Sequence, residues 1–353
     1  MNNYQFDSLK FATEGLTGGG CTIISDAKGL PSFMIPFNKR TNAQLFDGGS
    51  EKTHSAFVVD DVEYKRFFFS KFINCIVDGL AYSWPLVDPK ASINYDASHA
   101  ACNAKGTGWH LASIPERAVI NHLIYKFGFI PRGNTQYGKH HTYTYEVGET
   151  TATESDGSGG TRTTRTATGS GPATWFHDGT RNGIADYVGD VWKWMSGLRI
   201  YKGEIQIFVG NLAAKQVSHL AASTYWKAIL PNGSLVEPGT PGTLKYTKDF
   251  KIATDTGAAG STYTANFGNL VAGTGVTTIP EILKELFLAP VSGVTHTGAF
   301  WINNEDERLP FVSGGYGDTS NAGPSALSLS RPRSHVGTHL GFFSAFMELE
   351  SAI

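Results

Sequence analysis

His335 and His339 stand four residues apart, the spacing that puts two imidazoles on one face of a helix for zinc. Gly337 lies between them and Pro332 precedes them, so the segment reads as a loop and the spacing is not ligand geometry there. No metal is assigned to the chain. His140 and His141 follow Lys139 in a polar stretch and are expected to be solvated. Gly18-Gly19-Gly20 and the 157–160 run Gly-Ser-Gly-Gly lack the helix and lysine of a phosphate-binding loop. No Gly-x-Ser-x-Gly elbow occurs, and no cysteine sits near a base in a strand-to-helix context. Cys21, Cys75 and Cys102 are an odd number without metal-type spacing, which predicts buried free thiols rather than a disulfide framework. No catalytic residue and no cofactor follow from these patterns, and the expectation is a protein that is not an enzyme.

Composition narrows the class further. The chain has 353 residues, 41% hydrophobic and 17% charged, with a net charge of -2. That is enough apolar material for a sizeable core, and the near-neutral balance argues against a nucleic-acid partner. The 41 glycines, with 12% aromatic residues, point to a loop-rich fold with many tight turns. No run of 18 apolar residues is present, so no membrane insertion is expected. The sequence from Met1 to Asp7 shows no basic or apolar leader, and no signal peptide is expected.

Several elements can be placed. Residues 1–30 read as a Gly-rich lead-in with little periodicity, and 31–353 as the main domain. Ala56–Val59 and Arg66–Phe69 read as a hairpin around Asp60-Asp61. Alanines 97, 100, 101 and 104 mark a helix over 94–105 that ends at Gly106. Ser113 and Glu116 form a capping box for a second helix, with Val119, Ile120, Leu123 and Ile124 as its stripe and Gly128 as its stop. Glu116 is therefore a helix cap rather than a catalytic acid. Residues 147–172 form a polar, low-complexity insert read as an exposed, mobile loop, with Arg162 and Arg165 as a solvated pair. Leu198–Tyr201 and Ile205–Phe208 alternate around Lys202-Gly203 as a hairpin. Long loops are expected over 231–275. A short helix opens at Pro280-Glu281 and is stopped by Pro290, and Leu340–Leu349 reads as one buried terminal strand.

One region has an unusual composition. Residues 309–346 contain no Lys, Glu, Gln, Trp or Met, although these five types supply 49 of the 353 residues. By proportion, about five would be expected in 38 positions. These are the five residues that a codon ending in a pyrimidine cannot encode.

A family resemblance covers about nine-tenths of the chain. It rests on Asn94-Tyr95-Asp96-Ala97, Gly108-Trp109-His110-Leu111, the 183–194 block that ends Gly-Asp-Val-Trp-Lys-Trp, Ser313-Gly314-Gly315-Tyr316 and Leu340-Gly341-Phe342-Phe343. These motifs, in this order, resemble the formylglycine-generating-enzyme-like branch of the C-type lectin fold. More closely, the chain resembles the variable proteins of diversity-generating retroelements, found in phages and prophages. The resemblance implies an α+β, loop-rich C-type lectin fold with two main helices and short antiparallel sheets. Two departures stand out. Ser313 and Phe343 occupy places where the family usually has arginine. No cysteine follows Cys102, so the reactive pair of the oxidase branch is missing, and shared fold need not mean shared chemistry.

In such retroelements an error-prone reverse transcriptase spreads adenine-adenine-pyrimidine codons over fifteen amino acids, which fits the residues missing from 309–346. The resemblance thus implies a scaffold of constant positions (Gly314, Gly315, Ala326, Leu327, Leu329, Gly341, Phe342, Ala345 and Phe346) that carries exposed, exchangeable ones. The ligand-binding positions expected are Tyr316, Asp318, Thr319, Pro324, Ser325, Ser328, Ser330, Arg331, His335, Val336, Gly337, His339 and Phe343. Tyr316, Phe343, Arg331 and the two histidines are the expected anchors, because aromatic residues and arginine dominate binding hot spots. The expected partner is a protein or glycan receptor on a target cell surface, gripped from a virion tail if the chain is phage encoded. A homo-oligomer is compatible with that role. The alternatives left open are a bacterial surface-display binding protein and an oxidoreductase of the formylglycine-generating type.

Overall fold

The computed structural model describes residues 3–255 and 261–349. It is a loop-rich α+β structure built on two sheets. The first has five antiparallel strands in the order Thr22–Ser25, Pro31–Asn38, Arg66–Ser70, Ser344–Phe346, Trp109–Leu111. The second is larger. Its centre runs Ala299–Ile302, Leu327–Arg331, Glu307–Val312, Leu198–Tyr201, Glu204–Ile207, and Trp192–Trp194 joins Glu307–Val312 to Leu340–Phe342. Among the described residues no helix is long and apolar enough to cross a membrane.

The helix Ile114–Phe127 follows its sequence signals. Ser113 and Glu116 exchange both bonds of the capping box, Pro115 sits in the first turn, and Gly128 ends the helix at φ 74°. Every residue from Ile114 to Tyr125 is buried, so the apolar stripe does not mark a surface helix. Glu116 does more than cap. Its carboxylate also accepts bonds from Asn211 Nδ2 at 2.9 Å and contacts His110 Nε2 at 2.8 Å. The hairpin Leu198–Tyr201/Glu204–Ile207 forms as expected, with Lys202 and Gly203 both at positive φ.

Other expectations need correction. The lead-in holds a helix, Asn3–Thr17, and a strand of the first sheet. Asp60-Asp61 does turn the chain, but it joins Val58–Val59 to Val62–Glu63, and Arg66–Ser70 pairs with Pro31–Asn38 instead. In the helix Tyr95–Asn103 the buried face is Tyr95, Ser98, Ala101 and Cys102, while Ala97 and Ala100 face solvent. The 231–275 stretch carries short strands within the larger sheet, and its residues 256–260 lie outside the described residues. Cys21 and Cys102 are buried and free as expected, but Cys75 is half-buried. The terminal strand is two strands. At Phe343 the chain leaves the large sheet and enters the five-stranded one, with Phe343 buried against Phe69 at 5.1 Å between rings.

Candidate ligand-binding surface

The strands Leu327–Arg331 and Leu340–Phe342 are joined by a loop whose backbone is bonded at several points. Tyr95 N donates to Arg333 O at 3.2 Å, Ser92 N to Gly337 O at 3.1 Å, and Trp192 N to His339 O at 2.7 Å. The Arg333 side chain is the main anchor. Its Nε and Nη2 reach the two oxygens of Glu307 at 2.7 and 2.9 Å, its Nη1 reaches Asp96 at 2.9 Å, and Nη2 also donates to His219 O. This fork-to-fork geometry is the strong form of an ion pair. Burial raises the Glu307 carboxyl, but Arg333 and Arg199 outweigh it and hold it below the usual glutamate range.

The polar insert lies against this loop. Thr153–Ser155 and Thr161–Thr163 pair as a hairpin, closed by Asp156, whose Oδ1 accepts from Ser158 N and Gly160 N. Arg162 bonds Glu154 and stacks over the Tyr137 ring at 3.7 Å. Tyr137 in turn lies 5.7 Å from the Tyr316 ring and donates its N–H to Tyr316 O. Tyr316 Oη meets Thr338 Oγ1 at 3.1 Å. Arg165 pairs with Asp88 through two bonds of 2.8 and 3.1 Å. The insert is exposed over 149–163 as its composition suggests, but there it folds as a hairpin, and Thr164 and Thr166–Gly169 are buried behind it. Arg162 and Arg165 are each paired with a carboxylate.

Beneath Tyr316 lies a sealed polar cluster. Asp190 Oδ1 accepts from Asn134 Nδ2, Thr166 N and Thr166 Oγ1 at 2.8–3.0 Å. Lys193 Nζ donates to Gly189 O at 2.6 Å. Burial pushes Asp186 up to about 7, with the Asp190 charge adding to the rise, and burial pulls Lys193 down to about 7. All three side chains are closed to solvent, so they meet no ligand. They fix backbone instead: Asp190 and Asp186 accept from Thr166 N and Gly169 N and Lys193 donates to Gly189 O, beside the main-chain bonds from Tyr316 N to Asp190 O and from Gly189 N to Ser313 O. Gly314 next to them sits at φ 81°, and a Cβ there would fall 2.4 Å from the Ala322 Cβ.

The thirteen expected ligand positions divide into two groups. Arg331 and Val336 are exposed, and His335, Gly337 and His339 are half-exposed, all on or beside the 332–339 loop. The histidine rings are 6.4 Å apart, and burial holds both below the usual imidazole range, so they are neutral at pH 7. Asp318 and Thr319 are half-exposed, but Asp318 Oδ2 accepts from Gly315 N at 2.7 Å and Thr319 N donates to Thr135 O. The remaining six, Tyr316, Pro324, Ser325, Ser328, Ser330 and Phe343, are buried, which corrects the expectation that they face solvent. Pro324 and Ser325 lie under the 114–127 helix. Arg117 Nη2 and Asn121 Nδ2 both donate to Pro324 O, and Tyr125 Oη meets Ser325 Oγ at 2.6 Å. Ser328 and Ser330 do alternate with Leu327 and Leu329, but Ser328 pairs in register with Trp301 and its hydroxyl bonds Ser330 Oγ at 2.9 Å. Small side chains beside an indole have little surface left. The expected constant positions are buried, except half-buried Phe346.

His140 is also buried, against the expected solvation, with Nδ1 accepting from Thr142 N and Tyr143 N. Sequence reasoning missed Arg333, Tyr137 and the insert hairpin. Only Arg333 carried a signal, as one of two arginines in a stretch without lysine or glutamate. A cleft of about 980 Å³ lies beside the Asn3–Thr17 helix and is lined by none of these residues.

Neither a protein-family model nor a curated protein sequence matches the chain. Among solved structures it is similar to a "Major Tropism Determinant U1 Variant", with 11% identity and a TM-score of 0.31 over 89% of this chain. The chain spans 62% of that protein's length. It is also similar to PvdO from Pseudomonas aeruginosa, with 10% identity and a TM-score of 0.32, covering 92% of this chain and 97% of that one. Likeness at this level assigns neither family nor function, and the class that stands is a loop-rich α+β protein.

Proposed function

We propose that the chain is a receptor-binding protein of the retroelement-diversified, C-type lectin kind, which binds through the 331–339 segment and does not catalyse. The carrying observation is the 332–339 loop itself. Its backbone is bonded to a helix, a strand and the 92 turn, while Arg331 and Val336 are exposed and His335 half-exposed. Such a loop can exchange side chains without losing its path. The missing residue types of 309–346 support diversification of that stretch, and the partner expected is a protein or glycan on a target cell, met from a phage tail. The exchangeable set is smaller than the sequence suggests, because six of the thirteen positions serve the core.

Two measurements test this. Labelled wild-type chain should adhere to a subset of a bacterial cell panel, and the triple variant Arg331→Ala/His335→Ala/Val336→Ala should lose that adhesion with an unchanged melting temperature. Equal adhesion by the variant refutes the assignment of the loop. For the diversification itself, the gene should have a nearby near-copy of its 3′ region that differs only at adenines. Its absence, with no reverse-transcriptase gene alongside, removes that part of the reading.

A further inference from the structure

The helix Asn3–Thr17 has no buried residue among its described side chains. It is tied to the rest of the chain near its end, where Thr22 Oγ1 donates to Glu14 at 2.5 Å and Cys21 N to Thr17 Oγ1 at 3.0 Å. Over most of its length the 980 Å³ cleft separates it from the first sheet. Helices of this length are marginal in water without a packed face. Yet Tyr4, Phe11 and Leu16 are 81%, 82% and 87% exposed. Tyr4 and Phe11 share a face that the described residues leave open.

The spacing of that face shows what fits. Tyr4, Ser8, Phe11 and Gly15 follow one another at intervals of four, three and four, and so share one side of the helix. Large and small residues alternate along it. Set against a second copy of itself, antiparallel about a two-fold axis, position 4 meets 15 and position 8 meets 11. Each aromatic ring then lies over a small residue of the partner. A parallel pair in register would instead set ring against ring. Glycine is a poor helix former, so its presence inside this helix needs a reason. Among the described residues nothing supplies one, because a Cβ at Gly15 would meet no atom within 4 Å. The two rings on this face offer about 400 Å² per copy, so a pair would bury about 800 Å², the size of a weak, concentration-dependent interface. Asp7 is the one charged residue among the helix's fully exposed positions.

We infer that this helix is a homodimerisation element, which pairs antiparallel with the same helix of a second copy through Tyr4 on Gly15 and Phe11 on Ser8. The reading is independent of the ligand-binding surface.

Sedimentation equilibrium of the full chain tests it. The wild type should reach twice the 38.1 kDa mass of one chain as concentration rises. Gly15→Leu fills the hollow with a better helix former, in a place where the single chain has room. It should abolish the two-copy species while far-UV helicity is kept or increased. Phe11→Ser should weaken pairing as well. A chain that stays single at every concentration, a species of three or more copies, or a dimer untouched by Gly15→Leu overturns the inference. So does a loss of helicity in Gly15→Leu, since position 15 would then not be open within the monomer.

Discussion

Arg333→Met should release the 332–339 loop and little else. The substitution keeps much of the aliphatic stem and removes the guanidinium. Lost with it are two bonds to Glu307, one to Asp96 and one to His219 O. Hydrogen bonds to charged groups contribute about 1.5–3 kcal/mol each when buried. The Asp96 arm is half-exposed and counts for little in water. Glu307 keeps a second partner, Arg199 at 2.9 Å, so its carboxylate is not left alone. The net local cost is then about 2–3 kcal/mol, mostly from the Glu307 arm. Amide hydrogen exchange reads this directly. Ser92 and Tyr95 donate to Gly337 O and Arg333 O. Their amides should exchange roughly 30- to 150-fold faster in the variant if local opening governs them. Amides of the 198–207 hairpin should keep their wild-type rates. Ser92 and Tyr95 rates within about threefold of wild type would refute the idea that Arg333 holds the loop. A uniform increase everywhere would show instead that Arg333 supports the whole fold.

Acid should destabilise the protein through its buried histidines, while the Asp186 carboxyl, pushed up to about 7 by burial, takes up its proton in the folded state and works in the opposite sense. Burial holds His99, His140 and His177 down to about 4, and His122 to about 3, each neutral when folded. The unfolded chain therefore binds more protons between about pH 6.5 and 4, so stability falls as pH drops through that window, by up to about 1.4 kcal/mol per pH unit per histidine. His110, raised overall by Glu116 against its burial, works in the opposite sense. A melting temperature flat from pH 7 to 4.5 would contradict this. Burial likewise pulls Lys105 down to about 7, over the Trp109 ring at 3.2 Å. Its charge costs stability at neutral pH, so Lys105→Met should be neutral or more stable by about 1–2 kcal/mol in urea unfolding at pH 7. A loss above ~3 kcal/mol would mean that its bond to Ser32 Oγ matters more than its desolvation. Gly189→Ala should cost at least ~3 kcal/mol or prevent folding, because Gly189 sits at φ 77° and a Cβ would lie 2.3 Å from Asn134 O. A melting temperature within a few degrees of wild type would show that the backbone there yields.

What sequence reasoning recovers here is local. The capping box of Ser113 and Glu116 and the turn at Lys202-Gly203 are chemistry between near neighbours, and both stand where expected. The helix Asn3–Thr17 escaped because its apolar residues bury nothing, so no core-facing stripe announces it. Burial of Ser325 and Ser328 was equally illegible. It depends on Tyr125, some 200 positions away, and on Trp301 in a neighbouring strand. Alternation along Leu327–Ser330 correctly separates inward from outward side chains. It says nothing about what lies over the outward ones. The insert misled for a related reason: its polar composition conceals Asp156, whose carboxylate folds the turn by accepting from Ser158 N and Gly160 N, and Arg162, which docks it on Tyr137.

Phe343, where the chain passes from one sheet to the other, has a consequence for the order of assembly. The strand it feeds, Ser344–Phe346, lies between Arg66–Ser70 and Trp109–Leu111, yet follows both by more than two hundred residues. Until it emerges from the ribosome, those two strands each present a bare edge that invites pairing with another nascent chain. Final closure thus waits for residues 344–346, and the exposed loop is finished only a few residues before the clasp that locks the two layers together. A sequence change in the loop is judged together with that clasp: a side chain that hinders docking of residues 340–346 fails as a folded protein before it can be tried as a binder.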